Sequence, residues 1–236
     1  MNAAFRSEWL KVRTVRTFLW FGLGSVGLIL IATISVVASN GQIETAADDR
    51  SVARIAAIAL IFGLIAGIVV MAGEITHGTV TQTLLVTPVR ERVLVAKVGI
   101  AALISLLLAA VAELLVLAIT VPGASLDIHN SRAVLLGILI AAPLAGALGV
   151  GFGAIVRSQG SGIGISLVWL LIGENIVTVM SQSVAKYTPG RAFGALASGE
   201  NGSHDLLGMG AGGLAAGVWA VLFVAAGLFV FLGRDV

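Results

Sequence analysis

The sequence predicts an all-α, polytopic membrane protein with six transmembrane helices. Three observations carry that prediction. Of the 236 residues, 58% are hydrophobic and only 11% are charged, against about 25% charged in an ordinary soluble chain. The mean hydropathy is +1.06, and so little charge cannot cover a water-facing surface of this size. Finally, the apolar residues fall into six long, nearly charge-free runs, each matching the roughly 20 residues a helix needs to cross the hydrocarbon. A membrane β-barrel would instead show alternating segments of about ten residues.

In chain order, the runs are FLWFGLGSVGLILIATISVVA (18–38), VARIAAIALIFGLIAGIVVMA (52–72), VGIAALISLLLAAVAELLVLAIT (98–120), AVLLGILIAAPLAGALGVGFGAIV (133–156), GIGISLVWLLIGENIVTVM (162–180) and MGAGGLAAGVWAVLFVAAGLFVFLG (209–233). The first could be read as a signal peptide ending near Ala38. It is longer than a usual signal-peptide core, and five more spans follow, so an uncleaved helix fits better. Residues 1–17 precede it as an amphipathic stretch, with Phe5, Trp9, Val12 and Arg16 at helical spacing and Leu10, Lys11 and Arg13 around them. Such a helix lies in the interface, its aromatics among the headgroups and its bases toward anionic lipid. A plain basic flank is the simpler alternative. The fifth span is the weakest, being short and containing Glu174. Pro143 is a candidate kink in the fourth. Gly63/Gly67, Gly149/Gly153 and Gly213/Gly217 form small-xxx-small pairs that permit close helix approach.

Lys and Arg placement sets the orientation. Arg6, Lys11, Arg13, Arg16, Arg90, Arg92, Lys97, Arg157 and Arg234 fall on one side. Arg50, Arg54, Arg132, Lys186 and Arg191 fall on the other, with Glu44, Asp48, Asp49, Asp127, Glu200 and Asp205. The first side is expected to be cytoplasmic, with both termini there. Residues 73–97 then form the largest cytoplasmic loop, and 181–208 the longest extracellular segment, with short interfacial turns at 184–187 and 193–196 around Pro189.

The 73–97 loop reads GEITHGTVTQTLLVTPVRERVLVAK. Gly78 interrupts the continuation of the second span. Thr79 to Val86 can form about two turns with Val80, Thr83, Leu84 and Thr87 on one side, and Pro88 stops them. Val89 to Lys97 then rises into the third span, which puts Arg90, Arg92 and Lys97 near the inner-leaflet phosphates. The short helix suits contact with a protein; a hairpin resting on lipid is the alternative. No catalytic, cofactor or metal set is legible. Glu74 and His77 do not make an H-E-x-x-H motif, Cys is absent, and there is neither a Walker A nor a G-x-S-x-G sequence. No enzyme activity and no nucleic-acid partner is expected. Within the spans, Glu113, Glu174 and Asn175 stand out, because a charge at mid-bilayer must face the bundle or a cavity, or be neutralised. Each is either part of a translocation path or a helix–helix hydrogen bond.

Four places together resemble the ABC-2 type permeases, especially the short six-span ones of high-GC Gram-positive bacteria. They are Ser7-Glu8-Trp9-Leu10-Lys11-Val12-Arg13-Thr14 before the first span, Glu74 through Lys97 with His77-Gly78-Thr79 and Leu84-Leu85-Val86-Thr87-Pro88, Tyr187-Thr188-Pro189-Gly190 with Ala195-Leu196, and the Arg234-Asp235 tail. The resemblance implies a single transmembrane domain over 1–236 of the type V exporter kind, in a bacterial plasma membrane. It implies that the loop after span two couples to a separate ABC ATPase, which binds the ATP and Mg2+, and that two permease units pair as two copies or as paralogues. Glu74, His77, Thr79, Val80, Thr83, Leu84, Thr87, Pro88 and Arg90 are the coupling candidates.

The competing classes are an ATP-independent membrane transporter and a membrane immunity or structural protein. No inverted repeat or pair of broken helices supports the ATP-independent transporter. The expected orientation is directly testable. Cysteines introduced at Ser39 or Ser203 should react with an impermeant thiol reagent in intact cells, and one at Thr87 only after permeabilisation. Labelling of Thr87 from outside would reverse the topology and remove the coupling role.

Overall fold

A computed structural model of the chain describes Glu8, residues 16–39, residues 45–79, Leu85, residues 89–202 and residues 206–233. Among these the regular structure is entirely helical. The elements are α1 (Arg16–Ala38), α2 (Ala46–Ala53) with a 3-10 turn at Arg54–Ala57, α3 (Ile58–Thr76), α4 (Arg90–Ala124), α5 (Ile128–Val156), α6 (Gln159–Val168) with a π turn at Trp169–Gly173, α7 (Glu174–Met180), α8 (Gln182–Ala185), α9 (Pro189–Leu196) and α10 (Met209–Gly233). Six helical stretches are long and apolar enough to cross a membrane, the second of them running unbroken from Ala46 to Thr76 and the fifth from Gln159 to Met180.

Several helices begin earlier than the apolar runs, because caps extend them into polar sequence. Span two starts at Ala46 instead of 52. Thr45 accepts from the Asp48 amide at 3.2 Å, and Asp48 accepts from the Thr45 amide at 3.0 Å, a reciprocal capping box. Asp127 starts α5 by accepting from the His129 amide at 2.8 Å, and Ser158 caps α6. The helix of span three starts at Arg90. At 1.5 Å per residue its 35 residues reach about 52 Å, well beyond a hydrocarbon core of about 30 Å. The connection expected over 73–97 is correspondingly shorter, since α3 stays helical to Thr76 and α4 resumes at Arg90. α5 runs as one helix through Pro143.

α3 and α5 form the middle of the bundle. α5 packs on α3, α4 and α10, and α4 also packs on α3 and α1. The outer faces of the surrounding helices expose large apolar side chains such as Trp20, Leu114, Val179, Leu214 and Phe229, as a lipid-facing surface requires. The central contact is set by glycine. A methyl group at Gly67 would lie 2.2 Å from the Gly146 carbonyl oxygen, and one at Gly149 would lie 2.2 Å from that of Leu64. Gly67 of the span-two pair thus packs backbone to backbone against the span-four helix at Gly146 and Gly149, while Gly63 faces Ser105 of α4. The pair in span six does not follow: Gly217 has open space beside it, and α10 makes its close approaches at Gly212 and Gly227 instead.

The 181–208 segment also differs from expectation. α9 is not an interfacial turn. It begins at Pro189 and buries Ala192, Phe193, Ala195 and Leu196 against α10 and α5. Its approach to α5 is close enough that a methyl group on Gly137 would meet the Leu196 carbonyl oxygen at 2.1 Å.

These contacts separate the glycines. Gly149→Val should cost at least the usual overpacking penalty of about 1–3 kcal/mol, read as a lower unfolding midpoint and poorer monodispersity in detergent. Gly217→Val should leave both unchanged. Equal behaviour of the two variants would mean that α3 and α5 do not meet as described.

Candidate functional site

The end of the bundle that carries the termini of α3 and α4 contains a buried cation. Lys97 is completely buried, two turns into α4. Its ammonium lies 2.9 Å from Glu8 Oε2 and 2.8 Å from Glu74 Oε1, and donates to the Val70 carbonyl at 3.1 Å. An ammonium has three donors and no acceptor, so all three are matched. The acceptors come from the N-terminal segment, the end of α3 and the wall of α3, while the cation comes from α4. This corrects two expectations. Lys97 does not reach inner-leaflet phosphates. The N-terminal segment also contributes more than lipid anchors, because Glu8 is buried against the bundle.

Local sequence positions Glu74. α3 ends in a Schellman motif: the Gly78 amide donates to Ile75 O at 3.3 Å and the Thr79 amide to Glu74 O at 3.0 Å, with Gly78 at φ +68°. That left-handed position costs glycine little. His77 bonds the Gly73 carbonyl through Nδ1 at 2.7 Å and so has a different partner from Glu74. Thr76 Oγ1 accepts from the Gln159 amide at 3.1 Å, which ties the start of α6 to the same corner. Arg90 donates to the carbonyls of Phe231 and Leu232 at 3.0 and 3.4 Å. A cation at a helix C-terminus satisfies its orphan carbonyls and its dipole, so Arg90 fixes the end of α10. Arg92 is exposed.

Other sequence candidates separate. Val80, Thr83, Leu84, Thr87 and Pro88 lie outside the described residues, as do Trp9, Lys11, Arg13 and the side chain of Arg16; the neighbouring Leu85 is helical and exposed. No group of three or more His, Asp or Glu suited to a metal occurs among the described residues.

At the opposite end, Glu174 is buried and its Oε1 accepts from the Gly190 amide at 2.5 Å. The carboxylate thus serves the orphan donors at the start of α9, which Thr188 does not cap with its own side chain. The π turn delivers it there: the Glu174 amide bonds Trp169 O, five residues back, which shifts the helical register by one residue. Asn175 does not join Glu174; it is exposed and donates to Leu171 O in its own helix at 2.7 Å. Glu113 is buried, but its Oε1 has no partner among the described residues, so the expected helix–helix hydrogen bond is not made there.

Sequence reading found Glu74 and missed its partners. Glu8 is the one acid in a basic segment, and Lys97 precedes an unbroken apolar run. Those were the available signals, and the early start of α4 is what turns them into a pair. Compared with known proteins, the chain matches no family model, no curated protein and no solved structure. The permease resemblance therefore stands on the residues that carry it.

Removing one partner of a buried ion pair costs more than the pair contributes, about 3–5 kcal/mol, because the remaining charge is left uncompensated. Lys97→Met should therefore lower the unfolding midpoint sharply. The triple variant Glu8→Gln, Glu74→Gln, Lys97→Met should recover most of the loss. A stable Lys97→Met protein would mean that the ammonium does not hold these segments together.

Proposed function

We propose that the chain is the membrane-spanning permease subunit of an ATP-binding cassette exporter, driven by a separate ATPase that docks on the connection between α3 and α4. The Lys97 cluster is the observation that carries this reading. The connection leaves α3 three residues after Glu74 and enters α4 seven residues before Lys97. A force applied to it acts on both sides of one buried ion pair, and Glu8 extends the effect to the N-terminal segment. Thr76 to Gln159 and Arg90 to the end of α10 carry it to two more spans. A docking element needs this kind of rigid attachment if a partner's movement is to reshape the bundle.

Orientation supports the same reading. The corner that holds Glu8, Glu74, Lys97 and Arg90 is on the Lys/Arg-rich side, which the positive-inside rule assigns to the cytoplasm, where ATP is. The chain has no P-loop of its own, as a permease with a separate ATPase requires. ATP and Mg2+ belong to that partner, and a second permease, identical or paralogous, completes the exporter.

Val80, Thr83, Leu84 and Thr87, which the sequence spacing puts on one side of a short helix, are the proposed docking residues. Leu84→Asp would place an unpaired charge in the contact, a cost far above the loss of apolar area alone. The variant should insert normally and lose its ATPase on purification from cells that carry the native neighbouring genes. Retention of the ATPase by Leu84→Asp would move the docking surface elsewhere. Wild-type protein that brings down no ATPase would remove the exporter reading in favour of a stand-alone membrane protein.

A further inference from the structure

We infer that Glu113 is a proton-binding site inside the membrane: in the folded protein its carboxyl group carries a proton and is uncharged. The inference is independent of the exporter reading. Glu113 lies in α4, 11 residues before Ala124, at which the helix ends, and within the apolar run of span three. It is 7% exposed, and Oε1 is buried without a hydrogen-bond partner among the described residues. A carboxylate buried in such a place would have no donor among the described residues to stabilise it, whereas a carboxylic acid avoids the charge altogether.

The described residues around it supply no counter-charge. On the same face of α4, Ala109 and Val116 are buried and apolar, and the Thr120 hydroxyl is spent on the Val116 carbonyl at 2.7 Å. Ser105, two turns below, has a buried hydroxyl that is itself unpartnered. The elements packed on α4 are α1, α2, the 3-10 turn, α3, α5 and α10. Their titratable groups, taken with those of α4 itself, cluster at helix ends. Asp49 of α2 accepts from the Asp127 amide and Asn130, while Asp48 closes the capping box with Thr45. Arg54 of the 3-10 turn pairs with Glu200 and the Ser198 carbonyl. Glu74 of α3 pairs with Lys97, and Arg90 of α4 bonds the end of α10. His129 and Arg132 of α5 and Glu91 and Arg92 of α4 are exposed. α10 has no titratable residue. Arg50 of α2 has an unpartnered Nε but forms no ion pair with Glu113. The side chain of Arg16, at the start of α1, is outside the described residues.

A proton is the ligand that this site takes without a cavity or a second polar group. Binding adds one O–H bond and removes one negative charge; release does the reverse, with the proton passing to water. The group is thus chemically distinct from Glu174, which is held as an acceptor by the amide of Gly190.

Infrared spectroscopy of the full-length protein in lipid nanodiscs tests the inference directly. At neutral pH the wild-type spectrum should contain the carbonyl band of a protonated carboxylic acid. The band should disappear in Glu113→Gln, a neutral near-isostere that should fold with an unchanged midpoint. In Glu113→Asp, the second variant, the band should move rather than vanish. If Glu113→Gln instead removes the paired bands of an ionised carboxylate, the inference is overturned. It is also overturned if the wild-type protein shows no carboxylic-acid band at neutral pH.

Discussion

The Lys97 ammonium imposes the constraint on which one end of the molecule depends. Burying a lysine is unfavourable unless each of its donors meets an acceptor. Here the acceptors are distributed over Glu8, Glu74 and the Val70 carbonyl. The three cannot separate without stranding charge in an apolar interior. Glu8, α3 and α4 are therefore held in one arrangement at the end where α3 stops and α4 begins. Such an ion cluster specifies a geometry more than it adds net stability.

The other end of the bundle is fixed by different chemistry. Most of the polar groups there serve backbone. Asp49 accepts from the amide of Asp127 and the side chain of Asn130. Arg54 donates to the Ser198 carbonyl, Glu174 accepts from the Gly190 amide, and the Trp219 indole donates to Tyr187 O at 2.7 Å. Each satisfies a helix terminus or a turn that would otherwise be an orphan near lipid. Between the two ends, α3 and α5 meet at glycine with almost no side chain between them. In a bilayer, where apolar side chains gain nothing by leaving lipid, that closeness is itself the source of association. The middle of the bundle is thus held by van der Waals contact of backbone, and its two ends by charge and hydrogen bonding.

Glu113 stands apart from both patterns. It serves no helix terminus and pairs with no cation among the described residues. The other buried carboxylates described are occupied structurally, Glu8 by Lys97, Asp49 by α5 and Glu174 by α9, and the half-buried Glu74 also meets Lys97.

The sequence alone determined the class of the protein. Six apolar runs and a shortage of charge leave helices through a membrane as the available solution, because every backbone group in lipid must be satisfied within its own segment. It also determined Gly78 as the end of α3 and Glu74 as a residue of interest, since helix-stop chemistry and isolated charge are local. Helix starts were less legible: α2, α4 and α5 begin in polar sequence, where hydropathy does not decide; side-chain caps set the starts of α2 and α5, and α4 starts after Val89 without one. Only the tertiary structure decided what each charge does. Lys97, one basic residue among several near a span end, became the centre of a buried cluster. Arg90 became the anchor of α10, and Glu174 the cap of a helix that begins 15 residues later. Gly67 with Gly149 became a helix contact, and Gly217 did not. The physical reason is that a charge or a glycine acquires its role from the partner it faces. Those partners lie from 16 to 142 residues away in the chain, where no local pattern in the sequence reaches.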